Sequence, residues 1–237
     1  NEKIFYPEQI LAYLFKCCFD ILKMKDKTID QIVLTVSPWM NENQRQIILD
    51  AASIANIKIA SLLDSTTAAA ISYVKIHDSR FPSQKEDSTN AVLIDFGDVS
   101  FNVSVAKLSQ KSVEILSCVS DKTIGGSYFT DLLQEYLLTK VEEKYEINPR
   151  NNKRAMLRFN QAVEKVKKTL STNSIFILEV ASLMNDIDIS IPVKREEFVN
   201  LIQDDLHKIS DSLELALKNA KITKESIANI EILGGSS

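Results

Sequence analysis

Glycine is scarce in this 237-residue sequence, and its positions suggest where a ligand could bind. Average usage of about 7% would give roughly three times as many glycines as the five present. Each glycine adjoins either the end of a strand-like run or the start of a helical one. We predict that the three turns converge on one nucleotide, because backbone N–H groups at such turns and at helix N-termini can bind phosphate oxygens, although ordinary tight turns fit the same spacing. The five are Gly97, Gly125, Gly126, Gly234 and Gly235.

A second candidate group lies on one face of a predicted helix. Glu164, Lys167, Lys168 and Ser171 are spaced i, i+3, i+4 and i+7. One helical stripe therefore carries a carboxylate, two ammonium groups and a hydroxyl. From spacing alone, the ordinary interpretation is a solvated helix face with an i,i+4 ion pair. Neither a P-loop pattern nor a Gly-x-Gly-x-x-Gly fingerprint occurs, so the two commonest nucleotide-binding motifs are not indicated.

The elements that must position these groups follow from hydrophobic periodicity and turn residues. Asn41, with Gln44 three residues later, forms a capping-box signal, and Ser65 or Thr66 is expected to cap the next helix. The polar stretch 78–90 is predicted to cross between two lobes. The predicted helices are Pro7–Met24, Asn41–Asn56, Thr67–His77, Ser127–Tyr145, Arg150–Leu170 and Glu196–Lys218. The predicted strands are Gln31–Val36, Ile57–Leu63, Ala91–Phe96, Ser100–Leu108, Ser112–Val119, Ser174–Leu183, Ile187–Pro192 and Ile230–Leu233.

Composition indicates a folded domain and excludes several classes of partner. Hydrophobic residues make up 45% and charged residues 25%, and the net charge of −4 has the wrong sign for a nucleic-acid binder. The three cysteines and two histidines lack the spacing of a zinc site or a disulfide framework. Lys16 and Asp20 interrupt the longest apolar run, so we expect a largely buried helix there and no membrane partner.

Several short motifs follow one another along almost the whole chain. Val36–Gln46 is similar to the Val-Pro-Ala-Tyr-Phe-Asn-Asp-x-Gln-Arg-Gln signature of the 70-kDa heat-shock chaperones, and Thr67–Tyr73 matches their Thr-Ala-Ala-Ala helix. The sequence thus resembles the nucleotide-binding domain of that family, and Met184–Asp188 resembles its divergent 110-kDa branch. The other matching segments are Phe5–Glu8, Asp95–Asn102, Ile124–Gly126 and Leu233–Ser237.

The resemblance implies an α/β fold of the actin-like (ribonuclease H-like) two-lobed ATPase class, with a partial lobe I and a nearly complete lobe II. Residues 1–85 would form the partial lobe I, and residues 86–124 the first part of the lobe II base. Residues 125–203 would form the lobe II insert of helices and strands, and residues 204–237 the second part of the base. The chain ends on a predicted ligand turn and starts with a helix. We therefore expect a fragment without the family's first phosphate loop and a catalytic lysine.

The second phosphate loop departs from the family pattern. The family's Asp-Leu-Gly-Gly-Gly-Thr-Phe-Asp is replaced by Asp-Phe-Gly-Asp-Val-Ser-Phe-Asn at Asp95–Asn102. Asp98 would place a carboxylate beside phosphate oxygens, and two unit charges about 4 Å apart repel by roughly 4 kcal/mol at an effective dielectric constant of 20. Val99 adds a β-branched side chain where the backbone must approach, and Asn102 replaces an anionic acceptor by a neutral amide.

The resemblance also implies roles for individual residues. Asp95 would hold magnesium through water, and Asp95 and Ser100 are the possible catalytic residues. The family's glutamate before the Thr-Ala-Ala-Ala helix is Ser65 here, with Asp64 beside it, so we expect ATP hydrolysis to be weak or absent. The implied cofactor-binding residues are Gly97, Gly125, Gly126, Glu164, Lys167, Lys168, Ser171, Gly234, Gly235 and Ser236.

These features lead to a functional hypothesis. The full-length protein is expected to bind ATP or ADP with magnesium, mainly as a structural ligand, and this fragment to bind it weakly or not at all. It would act as a co-chaperone and nucleotide exchange factor for a 70-kDa chaperone, contacted through lobe II, with unfolded client proteins as further partners. The alternatives are an ATP-hydrolysing protein foldase and a scaffold that binds no nucleotide. The expected compartment is the cytoplasm, with the endoplasmic reticulum lumen as the alternative.

Overall fold

The computed structural model describes residues 4–25 and 28–236 as an α/β protein. Ser237, in the last predicted motif, lies outside the described residues. The α-helices are α1 (Pro7–Lys25), α2 (Glu42–Ile54), α3 (Ser65–Ile76), α4 (Gly126–Tyr145), α5 (Lys153–Leu170), α6 (Arg195–Leu201) and α7 (Gln203–Ala220). The strands are β1 (Gln31–Val36), β2 (Lys58–Asp64), β3 (Thr89–Phe96), β4 (Phe101–Ser109), β5 (Ser112–Asp121), β6 (Ile175–Met184), β7 (Ile187–Lys194) and β8 (Ile227–Leu233).

Helix ends show where local sequence signals succeed and fail. The capping box at α2 is confirmed: Gln44 N donates to Asn41 Oδ1 and Asn41 N donates to Gln44 Oε1, both at 3.0 Å. The predicted cap of α3 by Ser65 or Thr66 is wrong, because Ser65 is already helical and Asp64 is the N-cap. Asp64 makes no capping hydrogen bond, since its carboxylate is paired with Arg45 at 2.6 Å.

The predicted helix 196–218 is two helices, α6 and α7, separated at Ile202. Ile202 has φ −105° and ψ 7°, so its backbone leaves the helical region. Its side chain is buried, and its carbonyl accepts from Asp205 N and Leu206 N, both at 3.1 Å, in the first turn of α7. No glycine or proline marks this position, and the periodicity therefore gives no sign of the break.

The chain divides into two compact units. Unit 1 comprises residues 1–93, 104–118 and 222–231, and unit 2 comprises residues 94–103, 119–221 and 232–237. A four-stranded sheet has the order β5-β4-β3-β8, and its strands contribute residues to both units. The predicted lobe segments, residues 1–85, 86–124, 125–203 and 204–237, have other boundaries than these two units and remain a prediction.

Unit 1 contains the parallel pair β1 and β2, which runs in register from Gln31 opposite Lys58 to Val36 opposite Asp64, with one irregularity after Ile32. The expectation that α1 is largely buried is wrong. Among its described residues only Ala12 and Phe19 are buried, while Ile10 is 62% exposed. Within the described chain the principal neighbour of α1 is α2, and one helix covers only a narrow strip of an apolar face.

Unit 2 has a core between α4, α5 and the antiparallel hairpin β6-β7. Phe159, Val163, Val166 and Leu170 recur at helical spacing and are fully buried. Burying side chains of this size contributes about 1.5–3 kcal/mol each, which fixes the rotation of α5 about its axis. The polar residues on the adjoining edge of α5 are thereby held in one orientation.

None of the helices in residues 4–25 and 28–236 combines the length and apolar character needed to cross a bilayer.

Candidate functional site

A cavity of about 470 Å³ in unit 2 brings together most of the residues predicted to bind a cofactor. Its walls come from the end of β3 and the following turn, the start of α4, the last turns of α5, and the turn after β8. Residues from α6 and α7 complete it. Seven of the ten predicted cofactor-binding residues line it: Gly126, Glu164, Lys167, Lys168, Ser171, Gly235 and Ser236. Asp98, which is predicted to repel phosphate, lines it as well.

The turn after β3 is tied to the N-terminus of α4 by backbone hydrogen bonds. Gly126 N donates to Gly97 O at 3.0 Å, and Ser127 N donates to Asp98 O at 2.9 Å. The Ser127 hydroxyl donates to the same Asp98 carbonyl at 2.7 Å. Gly97 N donates to Ser100 O at 3.0 Å, which closes the turn itself. The phosphate-loop segment and the predicted helix start are therefore direct neighbours.

The turn after β8 reaches the same point, and two glycines make this possible. Gly234 has φ +100°, and a Cβ there would lie 2.2 Å from Phe96 O. The next turn residues remain close to β3, because Ser236 N donates to Phe96 O at 3.0 Å. A Cβ on Gly126 would lie 2.1 Å from Ser236 Oγ and 3.2 Å from Asp98 Oδ1. The three glycine-containing turns predicted to converge therefore do meet.

Lys167 is the centre of a polar cluster on one wall of the cavity. Its ammonium group donates to Gly126 O and to Thr130 Oγ1, both at 2.7 Å, and lies 3.0 Å from Glu164 Oε2. The Thr130 hydroxyl lies 2.6 Å from the same Glu164 oxygen. Lys168 pairs with the other oxygen of Glu164 at 3.2 Å, but 71% of its side chain is exposed. The cluster thus fastens α5 to α4.

The acidity of Glu164 reflects this cluster. Partial burial alone would raise the pKa of the carboxyl group, but hydrogen bonds from Thr130 and Lys167 and the Lys167 charge outweigh it. The net pKa lies below the ordinary value, and Glu164 is therefore ionised at neutral pH. Its charge compensates that of Lys167 within the cavity wall.

Asp95 and Asn102 form a second polar pair in unit 2. Burial raises the pKa of Asp95 above its ordinary value, and a hydrogen bond from Asn102 opposes the rise only in part. Asn102 is 2% exposed, and its Oδ1 has no hydrogen-bond partner among the described residues. An orphaned buried acceptor beside a carboxyl group is suited to accept a hydrogen bond from a metal-bound water. No cluster of three or more His, Cys, Asp or Glu ligands occurs in the part of the chain that the structure describes.

Other predicted residues lie outside the cavity lining. Gly97, Gly125 and Gly234 shape the neighbouring turns, and Ser100 is buried within the turn after β3. Ser65 begins α3 in unit 1.

The sequence interpretation missed Thr130 and the apolar lining residues Phe198, Ile202 and Leu206. Thr130 lies four residues after Gly126 on the predicted helix, so its shared face could have been recognised. The three apolar residues are spaced i, i+4 and i+8 within the predicted helix 196–218, so their shared face could have been recognised, but its position at the cavity could not.

An α/β fold with this order of elements and a cavity at three glycine turns fits an actin-like ATPase domain. A family model described as "Hsp70 protein" matches residues 1–237, and the chain therefore belongs to the Hsp70 family.

The chain is 32% identical over 238 residues to a heat shock protein homolog of Saccharomyces cerevisiae, covering 100% of this chain and 34% of that protein. It is 33% identical over 238 residues to heat shock protein 88 of Dictyostelium discoideum, covering 98% of this chain and 30% of the relative. It is 30% identical over 242 residues to heat shock 70 kDa protein 4 of Homo sapiens, covering 100% of this chain and 28% of the relative. The predicted relationship to the divergent 110-kDa branch is thus confirmed, and the chain spans about a third of the length of these relatives.

Proposed function

We propose that this chain is part of the nucleotide-binding domain of an atypical heat-shock protein that acts as co-chaperone and nucleotide exchange factor for a 70-kDa chaperone. ATP would be mainly a structural ligand. The observation that carries the proposal is the joining of Glu164, Lys167 and Ser171 with Gly126 and Gly235 around one cavity. Membership in the Hsp70 family, which implies nucleotide binding, supports it.

The nucleoside end of a nucleotide matches the chemistry of this cavity. Ribose hydroxyls can donate to Glu164 and accept from Lys168, and a purine base can lie against the apolar wall around Phe198. Gly235 offers unobstructed space, because a Cβ added there meets no atom within 4 Å. These residues would bind and orient the nucleoside, whereas the phosphates would extend toward the turn that carries Asp98.

Magnesium binding and ATP hydrolysis are further parts of the same proposal. Asp95 would hold a hydrated magnesium ion, with the unpaired Asn102 Oδ1 as an acceptor for one of its waters. A single carboxylate provides a poor magnesium site. Ser65 cannot act as a carboxylate base, and Asp64 is engaged by Arg45 at 2.6 Å. We therefore propose that hydrolysis is slow or absent.

We assign residues 1–85 to a partial lobe I and the remainder to lobe II, which would hold the partner chaperone in an open state. Nucleotide exchange then follows because lobe II would bind the open state of the partner chaperone more tightly than its closed state. We further propose that unfolded proteins are clients of the full-length protein and that it works in the cytoplasm.

The exchange proposal is tested with a 70-kDa chaperone preloaded with fluorescent ADP and chased with unlabelled nucleotide. Full-length protein carrying this chain should accelerate ADP release, and a matched sample without it gives the basal rate. The Lys167→Met variant should accelerate release less than the Lys168→Met variant, because Lys167 donates to Gly126 O and Thr130 Oγ1 of α4, whereas Lys168 pairs with Glu164 of its own helix. An unchanged release rate with the full-length protein would refute the proposal.

The second candidate, an ATP-hydrolysing foldase, is favoured by one observation: Asp95 is retained and partly buried, and this burial raises its pKa above the ordinary value. A single-turnover assay with γ-labelled ATP separates the two candidates. Under the leading proposal the wild-type protein releases phosphate slowly or not at all above the no-protein rate, whereas under the second candidate it releases phosphate readily. The triple variant Ser65→Glu, Asp98→Gly, Val99→Gly would gain turnover if degeneration alone removed it.

A further inference from the structure

We infer that the exposed face of α1 is a self-association surface, on which α1 of one copy of this chain pairs with α1 of a second copy as a short parallel two-stranded coiled coil. The inference concerns unit 1 and is independent of the proposed nucleotide binding and exchange. It rests on the spacing of apolar residues along α1, on the side of α1 that α2 covers, and on the charges beside the exposed face.

An apolar stripe runs along α1 with the spacing of a coiled-coil seam. Its residues are separated by four, three, four and three positions, so they follow the d-a-d-a-d order of a heptad repeat. The four large hydrophobic residues among them are 53–76% exposed, and the cysteine between them is exposed as well. The stripe consists of Ile10, Leu14, Cys17, Ile21 and Met24.

The buried side of α1 lies opposite this stripe. Ala12 and Phe19 are the buried residues of α1, and in the same heptad numbering both occupy f, the position farthest from the a and d seam. The principal neighbour of α1 within residues 4–25 and 28–236 is α2. Because α2 packs on the far side of the helix, the stripe is accessible to a second helix.

Charged residues beside the stripe favour a parallel pair of copies. Asp20 occupies a g position and Lys25 the e position five residues later, and both are exposed. In a parallel two-stranded coiled coil, the g residue of one helix faces the e residue of the following heptad on the other helix. Two-fold symmetry would therefore form the Asp20–Lys25 ion pair twice. An antiparallel pair would bring g positions together and lose both ion pairs.

The stripe is large enough for a specific dimer of modest affinity. It exposes roughly 600 Å² on each copy, and exposed apolar patches of this size mark interaction sites. Two copies would bury roughly 1,200 Å² in total, the lower limit for a specific protein–protein interface. We therefore expect a dissociation constant in the micromolar range.

The first test measures the molar mass of the 237-residue chain by light scattering as its concentration is raised from about 1 to 200 µM. The mass should rise from that of one chain toward that of two. Asp20→Lys should raise the dissociation constant about fivefold by removing both ion pairs, and adding Lys25→Asp should restore it. Lys16→Asp is the matched control: it reverses a charge at the outer c position of the same helix and should leave the dissociation constant unchanged.

Disulfide cross-linking tests the register of the pair. Two Cys17 residues at facing d positions have Cα atoms within about 6 Å, the separation that a disulfide requires. Diamide, a diazene oxidant, accepts the hydrogen atoms of the two thiols as their S–S bond forms. Wild-type chain and Cys18→Ser should both give a covalent dimer, whereas Cys17→Ser should not, because Cys18 occupies an e position away from its counterpart.

Three results would overturn the inference. The first is a chain that remains monomeric over the whole concentration range. The second is a dimer that responds equally to Asp20→Lys and Lys16→Asp, or that cross-links equally well without Cys17. The third concerns full-length protein carrying this chain: a Cys17 thiol protected from alkylation in a monomer would show that another segment of that protein covers the stripe.

Discussion

Replacing Lys167 by Met tests whether the polar cluster between α4 and α5 fixes the wall of the cavity. Met keeps the length and apolar stem of Lys but removes the charge and all three N–H donors. Gly126 O then loses its bond from Lys167, and Glu164 Oε2 keeps only Thr130. The carboxylate therefore loses its principal compensating charge.

The expected loss of unfolding free energy lies between the values typical of buried and of exposed ion pairs. Removing one partner of a buried pair costs about 3–5 kcal/mol, whereas exposed pairs contribute about 0–1 kcal/mol. The Lys167 and Glu164 side chains are 14% and 35% exposed, so the pair is intermediate. We expect the free energy of unfolding of unit 2 to fall by about 2 kcal/mol. The adjacent Lys168→Met is the matched control; with 71% of that side chain exposed, it should cost less than about 0.5 kcal/mol.

Native-state hydrogen exchange of the α4 and α5 amides measures this difference in the unit that contains it. Lys167→Met should speed exchange in both helices, and Lys168→Met should leave both near the wild-type rates. Equal effects of the two substitutions, or a larger effect of Lys168→Met, would refute the assignment of the cluster to Lys167.

Three further predictions concern other parts of unit 2. Gly234→Ala should destabilise the chain by more than about 2 kcal/mol in chemical unfolding, because Gly234 has φ +100° and an added Cβ would lie 2.2 Å from Phe96 O. Gly235→Ala is the control: its Cβ meets no atom within 4 Å, so the unfolding midpoint should change little. Burial raises the pKa of Glu197, but hydrogen bonds from Lys140, Lys194 N and Tyr136 outweigh it and lower the pKa from 4.5 to about 2. The folded pKa is depressed, so this stabilisation is present above pH 4.5 and is lost as the pH falls toward 2. Between pH 4.5 and pH 2 the free energy of unfolding of the wild-type protein should therefore fall by about 1–2 kcal/mol more than that of the Glu197→Gln variant. Parallel curves of unfolding free energy against pH for the two proteins would contradict this prediction. Thr130→Val should raise the pKa of Glu164 by removing a hydrogen bond to Oε2, measured by carboxyl-carbon NMR titration; an unchanged pKa would show that the Thr130 hydroxyl does not lower it.

Local sequence patterns were sufficient for the order of the elements and for the convergence of the glycine turns. The capping box at Asn41 and Gln44 is a contact between residues three apart, so the chain segment itself specifies it. The glycines are informative because the close approach of Gly234 to Phe96 and of Gly126 to Ser236 leaves no space for a Cβ. Close backbone approach of this kind restricts a position to glycine, and glycine can be read directly from the sequence.

Features that depend on contacts with residues distant in sequence could not be predicted from local sequence patterns. The break occurs at Ile202, an ordinary aliphatic residue that is buried, and the exposure of α1 follows from how little of it α2 covers. The N-cap of α3 fails to form its side-chain bond because Arg45, nineteen residues away, holds Asp64. Likewise, the spacing on α5 predicted a polar stripe, but only the structure shows that three acceptors use all the donors of Lys167.

The most direct test of the account is a two-dimensional ¹⁵N NMR titration of the 237-residue chain with adenosine. The account predicts saturable amide shifts at Gly126, Thr130, Lys167, Ser171 and Gly235, the residues that form or support the cavity. Shifts confined to residues outside unit 2, or a spectrum unchanged at millimolar adenosine, would contradict the claim that this cavity binds a nucleoside.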